Sequence, residues 1–264
     1  MQIAGTSLRP LELWRPDVTL HDARNFAGAL AAIAVRAGSG ARVTFAGPRP
    51  TDVIVLYERE SCAHSRLVRE TLSELDVDAL IKPCPPGETL HNRELLDVSG
   101  KGEVPFLIDR STRVSLSDSS RIVRYLTDRY GSHAAPARLR GGPVSLFASR
   151  LASSIRGGQI HYGEPKRRPE LPLELWNYEA SPYCRIVRER LGQLGISHVS
   201  HNLARHSPKR VAFKARFGRE QFPYLFDPNT QLGMFESESI LRYLTDTYAS
   251  CFDAVPAEIG GHPA

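Results

Sequence analysis

RIVRYLTDRY, residues 121–130, returns as SILRYLTDTY at 239–248, a spacing of 118 residues. Val104-Pro105-Phe106-Leu107 and Phe222-Pro223-Tyr224-Leu225 pair at the same spacing. Upstream, Ser65-Arg66-Leu67-Val68-Arg69-Glu70 and Cys184-Arg185-Ile186-Val187-Arg188-Glu189 pair at 119, a slip of one residue that a loop absorbs. Solenoid repeats have periods of about 20–50 residues, so a period this long marks a duplicated domain. Where the copies differ, the chemistry differs.

Each copy reads strand, helix, strand, helix, strand, strand, helix. In the first, residues 53–57 are a short β-rich run, and Leu67, Val68, Leu72 and Leu75 give 62–75 helical spacing. A weak strand near 78–81 runs into a proline-rich loop, followed by a helix over 89–98 and a hairpin over 104–109 and 113–117. Asp118 and Ser119 are both suitable N-caps for a last helix ending at Tyr130. The second copy repeats the order at 173–177, 182–194, 198–203, 208–217, 222–235 and 236–249. Parallel strands joined by a helix and followed by a hairpin give, in each copy, a mixed four-stranded sheet flanked by helices. The expected division is an extension over 1–51 with a helix near 24–36, a domain over 52–131, a connector over 132–172 with a helix near 144–156, a domain over 173–250 and a tail over 251–264.

A chain of 264 residues with 41% hydrophobic content buries two small cores as readily as one large one. Its formal charge of +5 comes mostly from arginines interleaved with acidic residues, as in Arg188-Glu189-Arg190, which read as solvated faces. No dense basic run carries interleaved aromatics, so nucleic acid is not expected as a partner. The apolar run at 26–35 is too short to span a bilayer, so no membrane is expected. Cys62, Cys84, Cys184 and Cys251 lack metal-ligand spacing, and a cytoplasmic protein with reduced thiols and no metal is the expectation.

Three motifs, met twice in the same order, resemble the thioredoxin-fold N-terminal domain of glutathione S-transferases, close kin of glutaredoxin. The first is the strand-to-helix turn, Ser181-Pro182-Tyr183-Cys184 followed by Arg185, answered by Cys62-Ala63-His64-Ser65 and Arg66. The second is Val104-Pro105 and Phe222-Pro223, where the family has a cis-proline before a strand. The third is the acidic-serine pair that opens the last helix, Asp118-Ser119 and Glu236-Ser237. The chain departs from complete transferases in having a second thioredoxin-like domain where they have an all-helical one. The duplication also suggests that the copies pair within the chain like a dimer.

The resemblance implies glutathione as cosubstrate, with an electrophile or a disulfide as the second small molecule. A helix N-terminus favours a thiolate, and Cys62 stands at that place in the first copy. Ser65 replaces a second cysteine, leaving monothiol chemistry with Cys62 as nucleophile; His64 and Arg66 would add positive charge. In the second copy Ser181 takes the nucleophile's place, suited to stabilising the thiolate of bound glutathione, and Cys184 lies one turn into the helix. The backbone at Val104-Pro105 and Phe222-Pro223 would bind the cysteinyl part of glutathione, and Asp118-Ser119 and Glu236-Ser237 its γ-glutamyl end. Cys84 follows the second strand and is a candidate resolving thiol for Cys62, provided the Cα atoms come within about 7 Å. The rival readings are a non-catalytic binding or scaffold protein and a Cys62–Cys84 redox sensor.

Overall fold

A computed structural model describes residues 38–134, 136–140, 165 and 167–249. The helices expected near 24–36 and 144–156, the tail and Cys251 lie outside the described residues.

The first copy supplies β1 (Ile54–Glu58), α1 (Ala63–Leu75), β2 (Ala79–Pro83), α2 (Leu90–Ser99), β3 (Phe106–Asp109), β4 (Val114–Ser117) and α3 (Ser119–Tyr130). The second supplies β5 (Leu173–Asn177), α4 (Pro182–Gln193), β6 (His198–Asn202), α5 (Lys209–Phe217), β7 (Tyr224–Asp227), β8 (Leu232–Phe235) and α6 (Ser237–Tyr248). In each, the first two strands are parallel and the hairpin adds antiparallel to the first strand. These are the two thioredoxin-like domains that the repeat implies.

β1 is buried throughout, with an apolar run from Ile54 to Tyr57, because both of its faces are covered. Ile54 and Leu56 pack with Leu67, Val68 and Leu72 of α1 and Ile122 and Leu126 of α3. Val55 and Tyr57 pack on the other face with Leu95 of α2 and Phe106. The second copy follows the same plan, with Leu173 and Leu175 against Val187, Leu191, Ile240 and Leu244. Its other face is more aromatic, with Trp176, Phe213 and Tyr224 buried together.

The sheets are not separate. β2 pairs antiparallel with β6, giving one eight-stranded sheet in the order β4-β3-β1-β2-β6-β5-β7-β8. The register is Ala79 with Ser200, Leu80 with Val199 and Ile81 with His198. Since Leu80 and Val199 are equivalent positions, an approximate twofold axis passes between them, an isologous interface formed within one chain. Polar bonds extend the seam: Asn202 Nδ2 donates to the Val77 carbonyl at 2.7 Å, and Lys209 Nζ reaches Asp78 at 2.5 Å.

A second repeated device ties each hairpin to its last helix. Asp109 is fully buried and accepts from the Tyr125 hydroxyl at 2.7 Å and from Tyr130. Asp227, equally buried, accepts from Tyr243 at 2.6 Å and from Tyr248. Burial opposes the charge of each carboxylate, but the phenol donors prevail and hold it below the usual aspartate range. Hydrogen bonds to a charged group are worth about 1.5–3 kcal/mol. Tyr248→Phe is therefore expected to destabilise the protein by that amount in urea unfolding, while leaving the helix in place.

Candidate functional site

The strand registers bring the motifs together at the carboxyl ends of β1 and β5. Tyr57 pairs with Phe106, so Pro105 sits beside the end of β1; Trp176 pairs with Tyr224, so Pro223 sits beside the end of β5. The Val104–Pro105 and Phe222–Pro223 peptide bonds are both cis. The turns that follow β1 and β5 lead to Cys62 and Ser181, the N-caps of α1 and α4.

In the first copy Cys62 is half-buried, with extended backbone and no side-chain capping bond. Its carbonyl accepts the Arg66 amide at 3.0 Å and opens the helix. Two residues on, His64 Nδ1 lies 3.0 Å from Ser119 Oγ, so the first turn of α1 touches the start of α3. Asp118 caps α3, its Oδ1 accepting from the Ser120 and Arg121 amides at 3.0 Å each. Asp118 and its counterpart Glu236 have positive φ, 75° and 69°. A non-glycine residue adopts that conformation only where its surroundings impose it, and such residues gather at functional sites.

In the second copy Ser181 is buried, and its Oγ accepts the Cys184 amide at 3.2 Å, which leaves the hydroxyl proton to donate. Pro182 at the first helical position needs no partner for a missing N–H. Tyr178 meets Phe222 edge-on at 6.3 Å between ring centroids, and the Arg210 guanidinium lies 4.9 Å from the Phe222 ring and 5.7 Å from that of Tyr178. Glu236 is exposed and makes no cap; its carboxylate accepts from Gln221 Nε2 at 2.5 Å. Ser237 is half-buried, whereas Ser119 is buried. Tyr178 and Arg210 escape a motif reading because the first copy has Arg59 where Tyr178 stands and because Arg210 comes from α5.

Cys84 and Cys184 are both buried. Cys84 is fully buried, packs with Val55, Tyr57, Leu95 and Phe106 on the α2 face, and has its thiol pushed up to about 12 by burial and by Glu58. Cys62 opens the helix that covers the opposite face, and Cys62, Cys84 and Cys184 are all free thiols. Cys184 is also fully buried, and burial raises its thiol despite the nearby Ser181 hydroxyl, so it offers no ready thiolate.

Arginines expected on solvated faces are instead buried between the copies. Arg66, Arg69, Arg185 and Arg188 are each no more than 5% exposed. Arg69 Nε meets Glu179 at 3.0 Å, and its guanidinium also pairs with Glu58 and with Glu60, the latter at 3.3 Å. Arg188 meets Glu60 at 3.3 Å and Glu179 at 2.9 Å, and donates to Asn177 Oδ1 at 3.2 Å. Burial disfavours the Glu60 carboxylate, yet Arg188 and Arg69 outweigh it and hold the group at about 2. Glu58 goes the other way, raised to about 7 by burial that Arg69 does not overcome, with Glu60 and Glu179 adding repulsion. Arg66 is lowered to about 10 by burial and by Arg185 beside it, and is not available as a simple surface cation for Cys62. The helix pattern hid this cluster because α1 is buried on nearly every side.

Among the described residues, no cluster of histidine, cysteine or carboxylate side chains has the makings of a metal site, and no helix is long and apolar enough to cross a membrane. The family described as "Glutathione S-transferase, N-terminal domain" matches residues 56–135 and again 175–251, together more than half of the chain. No curated protein matches the sequence. Among solved structures, "Leishmania TDR1 - a unique trimeric glutathione transferase" is similar at 12% identity over 74% of this chain and 67% of its own, with a TM-score of 0.28, too low to carry fold or function across. On the two matches, the chain belongs to the glutathione S-transferase N-terminal domain family and carries that domain twice.

Proposed function

We propose that the chain is a glutathione-dependent thiol transferase, with a monothiol site on Cys62 in its first copy and a glutathione-activating site on Ser181 in its second. The observation that carries this reading is the placement of Cys62. Of the three described cysteines it alone is not fully buried, it caps a helix N-terminus, and its turn is hydrogen-bonded through His64 to Ser119. The Cys62 thiolate attacks one sulfur of a glutathione mixed disulfide; the S–S bond breaks, the product thiol leaves, and glutathione stays on Cys62. A second glutathione thiolate then attacks that mixed disulfide, releasing oxidised glutathione and restoring Cys62. In the second copy the Ser181 hydroxyl donates to the glutathione thiolate, which attacks an electrophile, while Phe222–Pro223 and Glu236–Ser237 hold the peptide. Family membership supports glutathione as the cosubstrate.

Cys62→Ser is expected to abolish reduction of a glutathione mixed disulfide and to spare conjugation of an aryl halide. Ser181→Ala should do the reverse, lowering conjugation by about 10²-fold, as loss of a donor to a developing anion does elsewhere. Calorimetry showing no glutathione binding at millimolar concentration would overturn the reading in favour of a scaffold, and activity that survives both substitutions would assign the chemistry to other residues.

A further inference from the structure

The buried ion network between the copies joins more than two surfaces. Glu60 lies in the turn that leads to Cys62, and Glu179 lies in the turn that leads to Ser181. Each is held by an arginine of the other copy as well as by the one of its own. Arg188, on α4 of the second copy, grips Glu60 of the first through Nε and Nη2, each at 3.3 Å. Arg69, on α1 of the first copy, grips Glu179 of the second through Nε at 3.0 Å and Nη2 at 3.3 Å. Each arginine also fixes backbone: Arg188 donates to the Tyr178 carbonyl at 3.3 Å, and Arg69 to the Glu60 carbonyl at 3.3 Å. The Glu179 amide, in turn, donates to Ser73 Oγ of α1 at 3.3 Å. Gly40 packs so closely here that a Cβ on it would come within 2.8 Å of Glu179.

From this crossing we propose that Arg188 is a positioning residue for the Cys62 turn and Arg69 one for the Ser181 turn, so that each site is held in shape by the other copy. The inference rests on the reading that Cys62 and Ser181 are the reactive positions. Neither arginine touches substrate. Each acts by fixing the residue two places before its target: Glu60 before Cys62, Glu179 before Ser181. A turn held at that point keeps Cys62 at the N-cap of α1. Movement in one turn reaches the other through two side chains and no intervening element. The two sites are therefore linked, and a ligand that displaces one turn changes the reactivity of the other.

The test is the rate at which iodoacetamide alkylates Cys62 in the full chain, with the modified peptide assigned by mass spectrometry and the rate followed against pH. Arg188→Lys keeps the charge and loses the paired geometry; Glu60→Gln keeps the shape and loses the charge. Each is expected to slow Cys62 by about fivefold or more, and the double variant to show less than the product of the two effects, as residues sharing one network do. Tyr248→Phe, which loosens the second copy far from the seam, should leave the Cys62 rate unchanged. Unchanged rates in both seam variants would overturn the proposal. So would equal slowing in Tyr248→Phe, because that would mean general loosening. The alkylation needs no glutathione, so failure of this inference is distinguishable from failure of the functional reading, which glutathione binding tests alone.

Discussion

Arg188→Ala lowers the unfolding free energy by about 3–5 kcal/mol, the cost of removing one partner from a buried ion network. The loss is large because the carboxylates of Glu60 and Glu179 remain, no more than 8% exposed, with only one of their two guanidinium groups left. Water does not replace the lost charge without opening the seam. Urea unfolding followed by circular dichroism measures the change as a fall in midpoint at unchanged slope. A loss below about 1 kcal/mol, the level of an exposed pair, would mean that the seam is wet.

Glu58→Gln has an effect of opposite sign that grows with pH. Glu58 holds its proton more tightly in the folded chain, at about 7, than at its ordinary value of 4.5. Its contribution to stability is therefore complete below 4.5 and is lost as pH rises through 7. Across that window wild type gives up as much as about 3 kcal/mol that the glutamine variant, with no proton to lose, retains. The quantity to measure is the difference in stability between variant and wild type at each pH, since other titrating groups cancel in it. His198 is one such group: burial lowers it to about 4, so its contribution is present above its ordinary 6.5 and lost as pH falls towards 4. A difference that stays flat from pH 5 to 8 would mean that Glu58 is ionised throughout.

The elements and their order were legible because the repeat doubles every signal. A weak strand near 78–81 gains weight from its stronger partner at 198–203, and both exist, as Ala79–Pro83 and His198–Asn202. The site motifs were legible for the same reason, since cis peptide bonds and acidic-serine turns fall at matched positions. What stayed hidden was the pairing of β2 with β6. Ala79–Pro83 reads as any half-buried edge strand, and periodicity says which face is buried without saying which neighbour lies alongside. The ion network stayed hidden with it. Arg69 and Arg188 match at the duplication's spacing, but a charged residue on a helix reads as solvated until something is packed over it. Asp109 with Tyr125 and Tyr130, matched by Asp227 with Tyr243 and Tyr248, carried a similar signal that only the folded hairpin explains.

Within the buried ion network the two copies differ where Glu58 of β1 is answered by Asn177 of β5. A pair of identical chains on this axis would carry every substitution twice. It would bury either four carboxylates against two guanidinium groups or two against two, with nothing between. Fusion of the halves into one polypeptide opens the intermediate composition, three against two, in which a single protonatable group sits at the centre of an otherwise balanced cluster. An asymmetric charge state at the midline is a property that a tandem chain has and a homodimer of either half does not.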